Sequence, residues 1–237
     1  MFFTHINNIK AINTNKETRC VSIELLNTPP LLDECFQLLE DSGAVHFALF
    51  GGAIRDADYS ARYNKLCQIK DYDLRVWLPA DEHEQHLQAF IKRLEQNSGF
   101  SIQETPSLGT GKIRYCLDYN GVEFDISVRP IPATWQNKAI PPEAVAIDRA
   151  CDSDAGICSV AIDPQKRAWA MPEYMLDQTQ KTLTMYPNLD AVRKHAYAKR
   201  MKNKFPDHNM FELLEQEQNQ VIASDNPTLM LSNTLFK

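Results

Sequence analysis

Val45-His46-Phe47-Ala48-Leu49-Phe50-Gly51-Gly52-Ala53-Ile54-Arg55-Asp56, with Asp71-Tyr72-Asp73-Leu74-Arg75-Val76-Trp77-Leu78 downstream, decides the fold. The opening six residues are an apolar run of strand length and read as a buried strand. The run stops at Gly51-Gly52, and Ala53 to about Tyr63 reads as helix. Glycines at such a strand–helix turn let backbone N–H groups approach a ligand closely, and the helix N-terminus behind them favours phosphate. A glycine pair there also serves as a plain tight turn. The second run is another strand. Asp71 and Asp73 stand two apart on it and project to one face, with Cα atoms roughly 6.5 Å apart. Carboxylates so placed repel one another unless a cation lies between them. Magnesium suits such a pair, because it takes a few carboxylates and completes its shell with water and substrate phosphate. A solvated strand end with two acids is the plainer alternative.

Reading outward, Thr28-Pro29-Pro30 opens a helix whose apolar stripe is Leu31, Leu32, Cys35, Phe36, Leu38 and Leu39, with Gly43 as its stop. Residues 1–27 read as an irregular arm or an added strand. Downstream, Asp81 with Glu84 starts a helix striped by Leu87, Phe90, Ile91 and Leu94. A short strand near 100–103 and a turn at Gly109-Thr110-Gly111 follow. Strands at 113–119 and 122–128 flank Asn120-Gly121, a strong hairpin signal. In the second of these, Phe124 and Ile126 belong to a buried face, while Glu123 and Asp125 share the polar one. Either acid can join Asp71 and Asp73 as the third carboxylate of a two-metal arrangement, and Asp125 is the one taken here. Beyond Pro130 and Pro132 the pattern loosens. Strands are expected at 157–162, 168–171 and 182–185, helices at 188–204 and 207–218, then a polar tail. The sum is an α+β fold: a mixed sheet flanked by helices, with a small C-terminal helical element.

The chain has 237 residues, 43% hydrophobic and 24% charged, which is ordinary for a globular protein and excludes disorder and collagen-like or coiled-coil structure. Its 25 basic and 31 acidic residues leave a net charge of −6, so it is no general nucleic-acid coat. A local basic surface is still expected on the helix bearing Arg193, Lys194, Lys199, Arg200, Lys202 and Lys204, where Lys199 and Arg200 are candidates for RNA phosphates. The alternative is solvated helix surface. The six cysteines form no C-x-x-C pair and read as reduced thiols. No run is long enough to span a membrane, and Met1-Phe2-Phe3-Thr4-His5 lacks the layout of a signal peptide. A cytoplasmic protein without membrane partners is expected. Trp77 and Trp135 read as core residues.

Phe50-Gly51-Gly52-Ala53-Ile54-Arg55-Asp56 followed by Lys70-Asp71-Tyr72-Asp73-Leu74 resembles the head-domain signature of CCA-adding enzymes and bacterial poly(A) polymerases, members of the polymerase-β-like nucleotidyltransferase superfamily. The pattern there is Gly-Gly-x-Val-Arg-Asp, a spacer, then Asp-x-Asp. The resemblance implies a nucleotidyltransferase-type head over 1–185 and a short neck-like helical segment with a polar tail over 186–237. It implies that Gly51, Gly52 and Arg55 hold a triphosphate, with Asp56 bracing the loop. Asp71, Asp73 and Asp125 would bind two Mg²⁺ ions and carry catalysis. Asp154 falls where the family has the Asp of Arg-Arg-Asp-Phe-Thr-Ile-Asn, although both arginines and the Asn are missing here. Asp190 and Arg193 fall where the family's Glu-Asp-x-x-Arg contacts the incoming base, but Leu189 replaces the Glu. The spacer before Asp71 is longer than usual, and the chain ends where family members continue into tRNA-holding domains. The implied activity is transfer of a nucleoside monophosphate from an NTP to a hydroxyl acceptor, an RNA 3′ end foremost. A non-catalytic nucleotide- or RNA-binding relative and an antibiotic-type small-molecule nucleotidyltransferase are the alternatives. Acceptor, preferred base and oligomeric state are not readable from the sequence.

Overall fold

A computed structural model describes residues 19–106, 113–186 and 191–212. The elements run β1 (Val21–Ile23), α1 (Leu32–Asp41), β2 (His46–Phe50), α2 (Gly52–Tyr63), β3 (Asp71–Leu78), α3 (His83–Ser98), β4 (Ile102–Pro106), β5 (Ile113–Tyr119) and β6 (Val122–Pro130). They continue with α4 (Ala144–Cys151), β7 (Val160–Ile162), β8 (Ala168–Ala170), α5 (Pro172–Gln180), β9 (Thr182–Met185), α6 (Ala191–Lys204) and β10 (Asn209–Glu212). Eight strands form one sheet in the order β1-β8-β7-β2-β3-β6-β5-β4. Within it β3 and β6 pair parallel and the other neighbours antiparallel, so the sheet is mixed.

The period of two along each strand sorts side chains between the faces. Tyr72, Leu74, Val76 and Leu78 of β3 join Phe47, Leu49, Phe124, Ile126 and Val128 in one core, covered by Phe36 and Leu39 of α1 and Phe90 and Leu94 of α3. The Tyr72 hydroxyl also accepts the Leu31 N–H at 3.1 Å, which ties the start of α1 to the sheet. On the other face, Ala48, Trp77 and Ala161 are buried beneath Val145, Ala146 and Ala150 of α4. This helix lies against β2, β7 and β8. The same face of β3, β6 and β5 beyond it carries charged side chains.

Asn120 and Gly121 both take positive φ, 55° and 84°, the geometry that a two-residue hairpin turn of this composition demands. A third cluster, Tyr59, Ile157, Leu183, Met201 and Phe205, joins α2 and β9 to α6.

Several expectations are corrected. Residues 207–218 do not open as a helix: 209–212 form β10, which runs parallel to β9 with Asn209 opposite Thr182. Pro206 stops α6, and tertiary pairing overrides the helical propensity of the segment. The strand expected at 157–162 is a 3-10 turn over Gly156–Cys158 followed by β7. Helices α4 and α5 lie in the stretch whose pattern loosens. The added strand near the N-terminus is present as β1, paired with β8. The turn at 109–111 lies outside the described residues. None of the six cysteines is in a disulfide.

Candidate active site

The parallel pairing of β3 with β6 sets Asp73 opposite Asp125 and Asp71 opposite Glu123, four acids on one face of two adjacent strands. Next to them is the turn from β2 into α2. Phe50, the last residue of β2, pairs with Asp73. Gly51 takes φ 76° and donates its N–H to the Val160 carbonyl at 3.1 Å. A Cβ on Gly51 would stand 3.5 Å from Asp73 Oδ2, and one on Gly52 would stand 4.0 Å from Asp71 Oδ1. The glycine turn and the N-terminus of α2 therefore lie directly against both acids.

Crowding shows in the electrostatics. Burial, reinforced by the charges of Asp71 and Asp125, pushes the Asp73 carboxyl up to about 7, against the pull of Arg149 and Arg55. Asp125 is raised as well, first by burial and then by Glu123 and Asp71, while Arg114 opposes the shift. Arg114 pairs with Asp125 through Oδ2, yet Oδ1 is buried without a partner among the described residues. Cys116, facing Asp125 from β5, brings its sulfur within 4.8 Å of Glu123 and Asp125 oxygens. Its thiol is pushed up, chiefly by burial, and so is a poor ligand compared with the carboxylates. The orphaned Oδ1 and the oxygen-rich donor set fit a hard divalent cation.

The remaining sequence candidates are placed as follows. Arg55 is buried in α2, where its Nε and Nη2 donate to Asp56 at 2.7 and 3.0 Å and its Nη1 reaches Cys158 Sγ at 3.0 Å. Its Nη2 also lies 3.6 Å from where a Gly52 Cβ would be. Lys204 of α6 pairs with the same Asp56, so this ion-pair group ties the glycine turn to the C-terminal helix. Asp154 is half-buried, and its carbonyl accepts the Tyr186 N–H at 3.4 Å. Lys199 and Arg200 are exposed on α6, with the Arg200 guanidinium 4.8 Å from the Tyr197 ring. Asp190 lies outside the described residues, and Arg193 belongs to the first turn of α6.

Two residues at the acids were not singled out from the sequence. Arg114 was within reach, since the Asn120-Gly121 hairpin sets Cys116 opposite Asp125 and puts Arg114 on the same face. Arg149 had no signal of its own, because it belongs to α4. Its guanidinium lies 4.3 Å from the Phe50 ring, beside Asp73.

No family model and no curated protein matches the chain. Solved structures do. The structure described as the Thermotoga maritima CCA-adding enzyme complexed with tRNA aligns with a TM-score of 0.51 at 17% identity, over 86% of this chain and 45% of that one. Another, a CCA-adding enzyme with CTP, aligns with a TM-score of 0.46 at 16% identity, over 81% of this chain and 43% of that one. The chain spans less than half the length of both. Among the described residues, no helix is long and apolar enough to cross a membrane. What the likeness to the Thermotoga maritima structure shows is the fold alone: a mixed sheet flanked by helices, as in that CCA-adding enzyme.

Proposed function

We propose that the chain is a metal-dependent nucleotidyltransferase that moves a nucleoside monophosphate from an NTP to a hydroxyl acceptor, an RNA 3′ end foremost, and releases pyrophosphate. The observation that carries this reading is the register of β3 against β6, which gathers Asp71, Asp73 and Asp125 beside the Gly51-Gly52 turn. Asp71 and Asp73, with Asp125 as third ligand, would hold two Mg²⁺ ions, which when bound would lower the pKa of the attacking hydroxyl and neutralise charge on the phosphates. Gly51 and Gly52 leave room for the triphosphate to approach the backbone and the N-terminus of α2. Arg55, locked by Asp56, fixes that turn and adds positive charge behind it. The acceptor oxygen forms a bond to the α-phosphorus as the bond to the bridging α–β oxygen breaks, and pyrophosphate leaves. Asp125 serves as the third metal ligand or, through Oδ1, which has no partner among the described residues, as the base that takes the acceptor proton. Asp154, Asp190 and Arg193 are assigned to the nucleotide, and Lys199 and Arg200 to RNA phosphates. The structure of similar fold solved with tRNA supports RNA as a partner, and the proposed setting is cytoplasmic.

The test is transfer of label from each α-labelled NTP to total RNA with Mg²⁺, for the wild type and for the Asp71→Asn/Asp73→Asn double variant. Label enters RNA with the wild type and falls at least 10³-fold, on the order expected when a charge-stabilising catalytic group is removed, with the double variant still folded. Equal transfer by both proteins sinks the assignment.

A further inference from the structure

Strand β3 carries a second chemistry beyond its acids. The residues of its polar face run Asp71, Asp73, Arg75, Trp77, at steps of roughly 6.5 Å. Across the parallel ladder Arg75 meets Ser127 and Trp77 meets Arg129, and Arg149 comes down from α4. Three guanidiniums thus converge just past the carboxylates. Arg75 donates its Nε to Ser127 Oγ at 2.8 Å, Arg129 an Nη1 to the Val128 carbonyl at 2.7 Å, and Arg149 an Nη1 to Asp152 at 2.7 Å. The Nε atoms of Arg129 and Arg149 are buried and meet no acceptor among the described residues.

The crowding is strong enough to shift the arginines themselves. Burial, with Arg149 and Arg129 adding to it, brings Arg75 down to about 10 even though Asp148 and Asp152 oppose the shift. Arg129 is lowered by burial and by Arg149. A cationic group that repels itself and keeps donors without acceptors is built for an anion.

Directly beyond it, Trp77, Trp135, Pro132, Thr134, Ile147 and Asp148 line a pocket. Trp135 is half-buried, packed against the cluster that holds Trp77 while lining the pocket.

We propose that Arg75, Arg129 and Arg149, together with the Trp77–Trp135 pocket, form an acceptor subsite that takes the phosphate and the base of an oligoribonucleotide terminus. The proposal rests on the nucleotidyl-transfer reading and names its acceptor side. The glycine turn lies at the Asp71 end of β3 and Arg75 and Arg129 lie toward its Trp77 end, with Arg149 reaching from α4 to Phe50 and Asp73 between them, so two phosphate-receiving features adjoin the acids. The NTP belongs to the first and the acceptor to the second. The order acid, arginine, tryptophan then matches the terminal hydroxyl, its 5′ phosphate and the base of the preceding nucleotide along the strand.

Binding of a short fluorescein-labelled oligoribonucleotide with a 3′-deoxy end, followed by anisotropy in EDTA without NTP, tests this. Arg129→Gln and Trp135→Leu each weaken binding about tenfold, the scale of one charged hydrogen bond or one stacked base. Arg129→Gln also lowers the salt slope by about 0.7, Arg129→Lys restores that slope, and Mg·ATP affinity stays within about twofold of wild type, well short of the loss for one charged contact. Unchanged oligonucleotide affinity in the folded variants overturns the proposal. So does an equal loss of Mg·ATP affinity, which would put the arginines on the NTP side. Transfer to a small hydroxyl compound by a wild type that binds no oligonucleotide overturns the subsite and leaves nucleotidyl transfer standing. Arginine-dependent oligonucleotide binding without transfer to any acceptor does the reverse.

Discussion

Gly51 and Gly52 are adjacent in sequence but constrained by different physics. Gly51 has φ 76° and ψ −123°, a region closed to L side chains, whereas a side chain on Gly52 would meet only ordinary contacts at 3.6 and 4.0 Å. Gly51→Ala is therefore expected to lose about 1–3 kcal/mol of stability, measured by denaturant unfolding, because the methyl forces a strained backbone at the end of β2. Gly52→Ala is expected to unfold at the wild-type denaturant midpoint but to raise KM for the NTP, since its methyl stands where the triphosphate approaches. A Gly51→Ala protein with wild-type stability would mean that the turn relaxes to another conformation, and the close approach of the turn to Asp73 would need rethinking. The sequence made this site legible at the residue scale because alternation along β3 and β6 fixes which side chains share a face. Asp71 with Asp73, and Glu123 with Asp125, follow from that period, while their meeting depends on the parallel pairing of β3 with β6. Arg55 was legible as a motif residue, but its burial against Asp56 and Cys158 depends on contacts from distant segments.

At the scale of elements, the 3-10 turn over Gly156–Cys158 is the joint where the sheet meets the C-terminal part of the described chain. A Cβ on Gly156 would come within 2.7 Å of Asp177 Oδ2, 2.8 Å of Glu173 Cβ and 3.1 Å of Thr184 Cβ. The constraint is steric, since α5 and β9 press on the turn from both sides. Asp177 has little freedom to retreat, as it accepts from the Thr184 N–H at 2.9 Å and from the Thr184 hydroxyl at 2.8 Å. Gly156→Ala should cost about 1–3 kcal/mol, the range for overpacking a filled core, and thermal unfolding would show it. An unshifted midpoint would mean that α5 moves aside freely. This joint also shows why parts of the fold stayed hidden. Helix α4 is eight residues long and begins after Glu143 without a side-chain cap, so no start signal marks it. Arg149 was lost with it. Strand β10 owes its form to pairing with β9, a non-local contact that no local pattern announces.

Over the whole molecule, the glycine turn and the C-terminal elements are mechanically linked. Helix α2 begins at the turn, presents Tyr59 to Phe205 and His208, and shares Asp56 with Lys204 of α6. His208 is fully buried at the centre of that contact, its ring centroid 5.0 Å from that of Phe205 and 5.5 Å from that of Tyr59. Neither ring nitrogen has a partner among the described residues. Burial first, then Lys181, Lys202 and Lys65, bring its pKa down to about 4, with Asp207 opposing. Between that value and the ordinary 6.5 the unfolded chain holds the proton and the folded chain does not. The stability associated with neutral His208 is thus complete above about pH 6.5 and is lost as pH falls toward 4. Asp177, raised to about 6 chiefly by burial, has the opposite sign over much of the same window, so the total pH profile hides both. A difference measurement separates them. His208→Phe keeps the ring contacts, forfeits no hydrogen bond and cannot titrate. The stability of wild type relative to this variant is expected to fall by about 2–3 kcal/mol between pH 7 and pH 4, given 1.36 kcal/mol for each pKa unit. Chemical denaturation at several pH values measures it, and parallel curves for the two proteins would show that His208 is protonated in place. Because Arg55 and Lys204 meet at Asp56 on the same helix, opening this contact by acid also frees the brace behind the glycine turn. The wild type should then lose affinity for Mg·ATP on acidification sooner than His208→Phe does.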